Sequence, residues 1–175
     1  MADKVRQLDK DFHLVMITEE LEESLVLLGQ TLCWPLANLT SLRLNARAPA
    51  LVSNLTSETR ARLKQWLWAD YALYDHFKER LEERKQELGV EKLREGVEEL
   101  RKRNKEVEQE CVVGEVRGGE RLAKEFRPRS KDVMGFKVLE ERGDCRYFAM
   151  AEGPFIDTVR QEQIQRFSSW REEQG

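Results

Sequence analysis

Cysteine, long apolar runs and an excess of one charge are what this sequence has least of. It has 3 Cys in 175 residues, too few for a disulfide framework and not at the spacing of a zinc site. No run approaches the ~18 apolar residues that span a bilayer, and the polar start of the chain is not a secretory signal. A net charge of −3 gives no general field to attract nucleic acid or an anionic membrane. By themselves, these absences predict a soluble cytosolic protein.

Common catalytic signatures are missing as well. The sequence contains no G-x-x-x-x-G-K-[ST], G-x-G-x-x-G, H-E-x-x-H or G-x-S-x-G motif. The pair Gly118-Gly119 follows no convincing strand, so a turn is favoured over a phosphate cradle. His13 and His76 have no nucleophile or metal partner in view, and both are expected to be structural. The motifs therefore predict no metal site and identify no catalytic residue.

What the sequence does contain is a strand-to-helix pattern near its start. Residues 12–17 form an apolar run of strand length. Thr18 can cap a helix, and acidic residues follow it in the first turn, where the helix dipole favours negative charge. Leucines then recur at helical spacing until Pro35, which lacks an N–H and cannot continue a helix. The pattern predicts a strand over 12–17 and a helix over 19–33, which together are half of an α/β unit.

A long helical segment rich in charge starts at Ser57. Its apolar residues follow steps of three and four, and Gly89 offers a position where a helix can end. We therefore predict helices over 57–88 and 90–109, as either an αα-hairpin or a bent pair. Asp70 lies near the apolar stripe, so its carboxylate is expected to be buried and paired. The stripe itself consists of Leu63, Leu67, Tyr71, Tyr74, Phe77 (or Lys78) and Leu81, with Trp66 and Trp68 adding bulk.

The remainder of the chain, after residue 110, contains most of the glycines. Residues 111–132 are rich in glycine and read as a loop or an insertion. Residues 133–139 are predicted to form a short strand. A final helix is predicted to begin at Pro154, because proline suits the first helical position. The chain is long enough for one ordinary domain of about 150 residues.

A polar loop lies between the first helix and the long helical segment. Ser41 to Leu44 can form a short extended piece, and Arg43, Asn45 and Arg47 fall at or after its end. Polar groups at such positions commonly face a ligand in α/β folds. The alternative is a solvated loop that only links two elements.

Four stretches are distinctive in their order and spacing: TEELEESLVLL at 18–28, Cys33-Trp34, LNAR at 44–47 and DYALYDHF at 70–77. In that order they resemble the galactose-3-O-sulfotransferase family, which includes the galactosylceramide sulfotransferases. The resemblance covers 11–110 well and the remainder weakly, and it corresponds to the C-terminal portion of such an enzyme. A looser likeness extends over 133–150.

The resemblance implies a fold, a reaction and a location. The fold would be a predominantly helical α/β fold, part of a P-loop-like sulfotransferase domain over 11–110, with 111–132 as a loop or insertion and 133–173 as the end of the same domain. The reaction would be transfer of a sulfonate group from 3′-phosphoadenosine 5′-phosphosulfate, without a metal, to the 3-hydroxyl of a terminal galactose on a glycolipid or glycan. The location would be the Golgi. Because the donor-binding half is not matched, we expect a fragment that is inactive alone.

The resemblance also suggests roles for individual residues. It places Arg43, Asn45 and Arg47 near the sulfate donor or the acceptor sugar, where arginines could bind a phosphate and Asn45 a sugar hydroxyl. In a lumenal protein, the Asn-x-Thr sequons become plausible glycosylation sites and a disulfide becomes plausible. Asp70, Tyr74 and Phe77 would build the core beneath the site. The sequons are at Asn38 and Asn54, and the disulfide would join Cys111 to Cys145.

A second hypothesis from a different class is a non-enzymatic helical interaction protein. The segment 78–110 alternates acidic and basic residues at helical spacing, which is typical of a solvated helix pair. It could also form a coiled-coil contact with a partner or a second copy through residues 57–109. The strand-to-helix start and the LNAR loop favour the enzyme, since a purely helical interaction protein needs neither.

Overall fold

A computed structural model describes residues 2–44, 46–47, 54–117, 132–139, 141–150 and 152–173. Within these ranges the chain is predominantly helical, with one small sheet. Two short 3-10 helices, Thr18–Glu20 and Leu36–Leu39, accompany the longer elements. The α-helices are α1 (Ala2–Asp11), α2 (Leu21–Leu32), α3 (Ser57–Trp66), α4 (Trp68–Leu88), α5 (Val90–Cys111), α6 (Cys145–Ala149) and α7 (Glu152–Glu173), and the strands are β1 (Ala46–Arg47), β2 (Val112–Arg117) and β3 (Val133–Val138).

The chain divides into two compact units. The first, here called the helical unit, comprises residues 1–40 and 53–106. The second, here called the sheet unit, comprises residues 41–52 and 107–175. The partition that the resemblance implies, into 11–110, 111–132 and 133–173, stays a prediction.

The predicted strand over 12–17 is wrong. Residues 14–17 are neither strand nor helix, and the backbone at Ile17 is extended. Instead of pairing with another strand, Ile17 pairs with a side chain: its N–H donates to the Ser24 hydroxyl at 3.1 Å, and that hydroxyl donates back to the Ile17 carbonyl at 3.5 Å. The run is buried only in part, since Ile17 is buried whereas Phe12 and Met16 are exposed. The buried backbone of Ile17 is satisfied by a hydroxyl rather than by a sheet.

The first predicted helix is confirmed, with different ends. It begins as the 3-10 turn at Thr18 and continues as α2, and no side chain caps either start, so Thr18 is not the predicted cap. Its end is set at Cys33, which has a φ of 54° and lies in the left-handed region. The N–H groups of Cys33 and Trp34 bond back to the carbonyls of Gln30 and Gly29. This left-handed cap ends the helix two residues before Pro35.

The core of the helical unit is built around α2. One cluster consists of Ile17, Leu27, Phe77 and Leu81, with Leu81 only 1 % exposed. On another side of α2, Val26 packs with Leu93 and Val97 of α5. Helix α2 thus buries one side against α4 and another against α5.

The long helical segment is broken twice. The predicted break at Gly89 is confirmed, since Gly89 has a φ of 91° that residues with a Cβ rarely adopt. A second break, at Leu67, separates α3 from α4 and was not predicted from the sequence. Leu81 and Phe77 confirm the apolar stripe, whereas Trp66 and Trp68 are 78 % and 60 % exposed and add nothing to the core.

The sheet unit contains an antiparallel sheet with the strand order β1-β3-β2. Strand β3 confirms the predicted strand over 133–139. Strand β2 occupies the start of the segment for which the sequence predicts a loop, and α6 follows β3 without a sequence prediction. The last helix is confirmed, but α7 begins at Glu152 rather than Pro154.

A disulfide forms the centre of the sheet unit. It joins Cys111, at the end of α5, to Cys145, at the start of α6, with the two Cα atoms 5.3 Å apart. Both cysteines are buried with Val138 and Ala149. This is the pairing that the resemblance suggests. The third cysteine, Cys33, is free and exposed.

This architecture confirms the coarse fold class, because the described part of the chain is mainly helical and has one small sheet. Membership of the P-loop-like sulfotransferase fold stays a prediction. None of the helices in the described part of the chain is long and apolar enough to cross a membrane.

Candidate functional site

The polar loop is anchored to the sheet unit on both sides of Arg43 and Asn45. On one side, Leu42 is half-buried against the cluster formed by the disulfide and Val138. On the other, β1 pairs with β3, with Ala46 opposite Met134 and Arg47 opposite Val133. The short loop between these anchors is therefore constrained by the core of the unit rather than by its own sequence.

Of the three candidate binding residues, Arg43 is the one whose side chain the structure describes. It is exposed, and the backbone beside it turns tightly, because the Leu44 N–H donates to the Leu42 carbonyl at 2.9 Å. Asn45 lies outside the described residues. The backbone of Arg47 is fixed in β1, and its side chain also lies outside the description. The structure thus presents one guanidinium to solvent on a constrained loop.

The residues expected beneath the site behave differently from one another. Phe77 is buried, and Tyr74 is half-buried against the same cluster. Asp70 is exposed on α4, so the expectation that its carboxylate is buried is wrong. Four residues from Trp66 and four from Tyr74, Asp70 lies at the edge of the apolar stripe, and that edge faces solvent here.

Both sequon asparagines are accessible. Asn38 is exposed in the 3-10 helix Leu36–Leu39, and Asn54 is exposed just before α3. In the second sequon, the Thr56 hydroxyl caps α3 by accepting from the Thr59 N–H at 3.2 Å. Modification at either asparagine stays a prediction.

Sequence reasoning missed a half-buried ion pair in the helical unit. The Lys85 ammonium lies 2.6 Å from a carboxylate oxygen of Glu20, and both side chains are at most one-fifth exposed. The hydrogen bond from Lys85 lowers the pKa of Glu20 despite the opposing effect of burial. Burial alone would lower the pKa of Lys85, but hydrogen bonds to Glu20 and Glu82 outweigh it and raise that pKa. In the sequence, Lys85 follows Leu81 by four residues and Glu82 by three. This spacing places Lys85 beside the apolar stripe of α4 and near an acid, and it is the sequence signal that was overlooked.

The side chains that could ligate a metal are dispersed over the described part of the chain. No group of three or more His, Cys, Asp or Glu side chains there could hold a metal ion. One histidine lies close to a carboxylate: the Nε2 of His76 is 3.5 Å from an Asp9 oxygen.

Comparison with known proteins gives a consistent result. A family profile described as galactose-3-O-sulfotransferase matches residues 1–152. Human galactose-3-O-sulfotransferase 2 is 40 % identical over 161 residues, which is 85 % of this chain and 40 % of that protein. Human galactose-3-O-sulfotransferase 4 is 34 % identical over 87 % of this chain and 35 % of its own length. Bovine galactosylceramide sulfotransferase is 33 % identical over 65 % of this chain and 27 % of its own length.

The matches also show how much of each relative's length this chain covers. It spans about 40 % or less of the length of the curated relatives quoted above. No solved structure matches the chain significantly.

Proposed function

The chain belongs to the galactose-3-O-sulfotransferase family, and from that premise we propose that it is part of an enzyme that transfers a sulfonate group to the 3-hydroxyl of a terminal galactose. The observation that carries this proposal is the family match over residues 1–152. The donor would be 3′-phosphoadenosine 5′-phosphosulfate, the sulfate donor that the family implies. The competing hypothesis, a non-enzymatic helical interaction protein, is not favoured by this match.

The proposed reaction is a substitution at sulfur. The oxygen of the 3-hydroxyl forms a bond to sulfur while the bond from sulfur to the phosphate oxygen breaks, and adenosine 3′,5′-bisphosphate leaves. The hydroxyl proton passes to a general base. Negative charge builds on the leaving phosphate, so cationic donors placed there stabilise the transition state.

We assign the polar loop to the charged side of this reaction. Arg43 and Arg47 would donate paired N–H bonds to a phosphate or sulfonate oxygen, and Asn45 would bond a sugar hydroxyl. The anchoring of the loop by Leu42 and by β1 supports the assignment, because a preorganised loop loses less entropy on binding.

The acceptor and the compartment follow from the same premise. A galactose-terminated glycolipid or glycan is proposed because one relative is a galactosylceramide sulfotransferase. A Golgi location is supported by the Cys111–Cys145 disulfide, since disulfides persist in oxidising compartments. Exposed sequons at Asn38 and Asn54 are consistent with a lumenal protein.

A chimera tests the proposed function directly. Residues 1–152 would replace the matching segment of human galactose-3-O-sulfotransferase 2, and transfer from a radiolabelled donor to a β-galactoside would be measured. We expect the chimera to be active. Arg43→Ala should lower its kcat/KM about tenfold or more, which is the effect of losing one charge-assisted hydrogen bond.

The matched control is Arg101→Ala in the same chimera, because Arg101 is an exposed arginine that pairs with Glu22 of α2. A folded chimera without turnover would contradict the proposed function. Equal activity of the Arg43 and Arg101 variants would contradict the assignment of the loop alone. The 175 residues by themselves are expected to give no turnover.

Self-association through residues 57–109 stays a separate prediction. Sedimentation velocity over a range of protein concentrations tests it. A single monomeric species throughout that range would contradict it.

A further inference from the structure

The helical unit contains a groove that the proposed reaction does not use. It has a volume of about 200 Å³ and lies between α4 and the chain from Asp9 to Val15. Its lining combines three basic side chains with Asp9, His13 and several apolar residues. The bases are Lys10, Arg80 and Arg84, and the apolar residues include Phe12, Phe77 and Leu81.

The two arginines of the groove are held in place but keep free donor capacity. Arg80 donates from Nε to Asp9 at 3.1 Å and from an Nη to Glu83. Arg84 donates to Glu87 at 3.2 Å and to the His13 carbonyl at 3.3 Å. A guanidinium has five N–H donors, so each of these arginines retains three beyond the bonds named here. Their positions are thus set by protein contacts before any ligand arrives.

The spacing of the arginines lets one anion reach both of them. Arg80 and Arg84 are one helical turn apart on α4, and side chains at this spacing are neighbours on the helix surface. Lys10, Arg80 and Arg84 are balanced by Asp9, which also lines the groove, and by Glu83 and Glu87, which pair with the arginines. The groove therefore offers an anion the unused N–H donors of its arginines rather than an excess of positive charge.

The apolar part of the groove fits an organic group rather than a bare ion. Phe77 and Leu81 belong to the buried cluster beneath it, and Phe12 is 55 % exposed at its rim. An exposed phenylalanine beside guanidinium groups can stack on a flat or apolar group. The volume is below the roughly 300 Å³ of a pocket for a drug-sized ligand, so the ligand would be small.

We propose that this groove binds a small organic phosphate or sulfate monoester. The tetrahedral anion would accept N–H bonds from Arg80, Arg84 and Lys10, and the apolar group would lie against Phe12 over the Phe77 cluster. The proposal concerns the helical unit alone. It is independent of the reaction assigned to the polar loop.

Calorimetric titration of the 175-residue chain tests the proposal with four probes: phenyl phosphate, phenyl sulfate, inorganic phosphate and benzyl alcohol. We expect saturable millimolar or tighter binding of at least one phenyl ester. Inorganic phosphate and benzyl alcohol should bind about tenfold or more weakly, since each lacks one half of the recognised chemistry. Whichever ester binds more tightly identifies the anion.

Variants decide whether the groove is the site. Arg84→Gln and Lys10→Gln should each weaken phenyl ester binding about tenfold, and Arg101→Gln should leave it unchanged. Circular dichroism spectra matching the unaltered chain would show that the variants fold. Absence of saturation by both esters, equal binding of inorganic phosphate, or equal effects of the Arg84 and Arg101 variants would overturn the proposal.

Discussion

Ser24 is completely buried, and its hydroxyl is bonded to both backbone groups of Ile17. Ser24→Ala removes that hydroxyl and leaves a buried N–H without its partner, so we expect a loss of about 1–3 kcal/mol in the free energy of unfolding. Urea unfolding followed by circular dichroism measures it. The control is Ser168→Ala, because the Ser168 hydroxyl is exposed and bonds only its own helix. Equal losses in the two variants would contradict the argument.

The Glu20–Lys85 pair makes stability depend on pH at both extremes. The folded pKa of Glu20 is below its ordinary value of 4.5, so its contribution is present above pH 4.5 and is lost as pH falls through the folded pKa. The folded pKa of Lys85 is above its ordinary value of 10.5. Its contribution is therefore complete below pH 10.5 and is lost as pH rises through the folded pKa.

Lys85→Met tests this dependence. At neutral pH the variant should lose about 1–2 kcal/mol of unfolding free energy. The difference from the unaltered chain should shrink as the pH falls below 4.5 and through the lowered folded pKa of Glu20. Urea unfolding at several pH values measures both effects. Lys102→Met, which removes an exposed ammonium 4.0 Å from Glu106, should change little at any pH. A difference for Lys85→Met that does not vary with pH would exclude the ion pair as its cause.

Helices α2 and α5 meet where α5 has no side chain. A Cβ placed on Gly96 would lie 2.8 Å from a methyl group of Val26. Gly96→Ala should therefore destabilise the helical unit by about 1–3 kcal/mol through overpacking, even though alanine favours helix by about 1 kcal/mol. Adding Val26→Ala in the same chain should remove most of the penalty, which a double-mutant cycle measures.

The control for the close contact is Gly153→Ala at the start of α7. A Cβ at Gly153 meets nothing within 4 Å, so this variant should keep or slightly gain stability. If Gly96→Ala were equally harmless, α2 and α5 would not approach each other as closely as the structure indicates.

Element by element, the sequence predicts helices better than strands. Apolar residues recur at steps of three and four in α2, α4 and α5, and Gly89 marks a break that its positive φ explains. The run 12–17 was misread because the hydroxyl that satisfies its backbone lies seven residues further on. Strand β2 was missed although Val112, Gly114 and Val116 alternate with more exposed residues. The glycine-rich composition of the segment concealed that alternation.

The two candidate sites differ in how far the sequence could reveal them. The polar loop was a candidate because polar residues follow a predicted extended piece, and the resemblance to the family suggested roles for them. The structure adds the anchors at Leu42 and β1. The groove had no sequence signal, because Lys10 and Arg80 are far apart in the chain and look like ordinary solvated charges. Only the packing of α1 and residues 12–15 against α4 brings them together.

At the scale of the molecule, we expect the stability of the sheet unit to depend on the disulfide. It joins two cysteines that are 34 positions apart in the chain, and closing a loop of that length contributes about 3–4 kcal/mol in the chain-entropy picture. Reduction, or Cys145→Ser, should speed amide exchange in β2, β3 and α6 by two orders of magnitude or more, as about 3 kcal/mol of lost stability implies. Cys33→Ser should leave these rates unchanged. Exchange that is insensitive to reduction would show that packing alone holds the unit.

The exposed third cysteine has a consequence for how the chain matures. The three thiols within these 175 residues allow three different pairings with one another, and two of them involve Cys33. Synthesis proceeds from the N-terminus, so Cys33 and Cys111 both leave the ribosome before Cys145. An oxidant present at that moment can join the wrong partners, and uncatalysed rearrangement takes minutes to hours. Correct maturation in an oxidising compartment therefore calls for an isomerase, or for oxidation that waits until β3 and α6 have emerged.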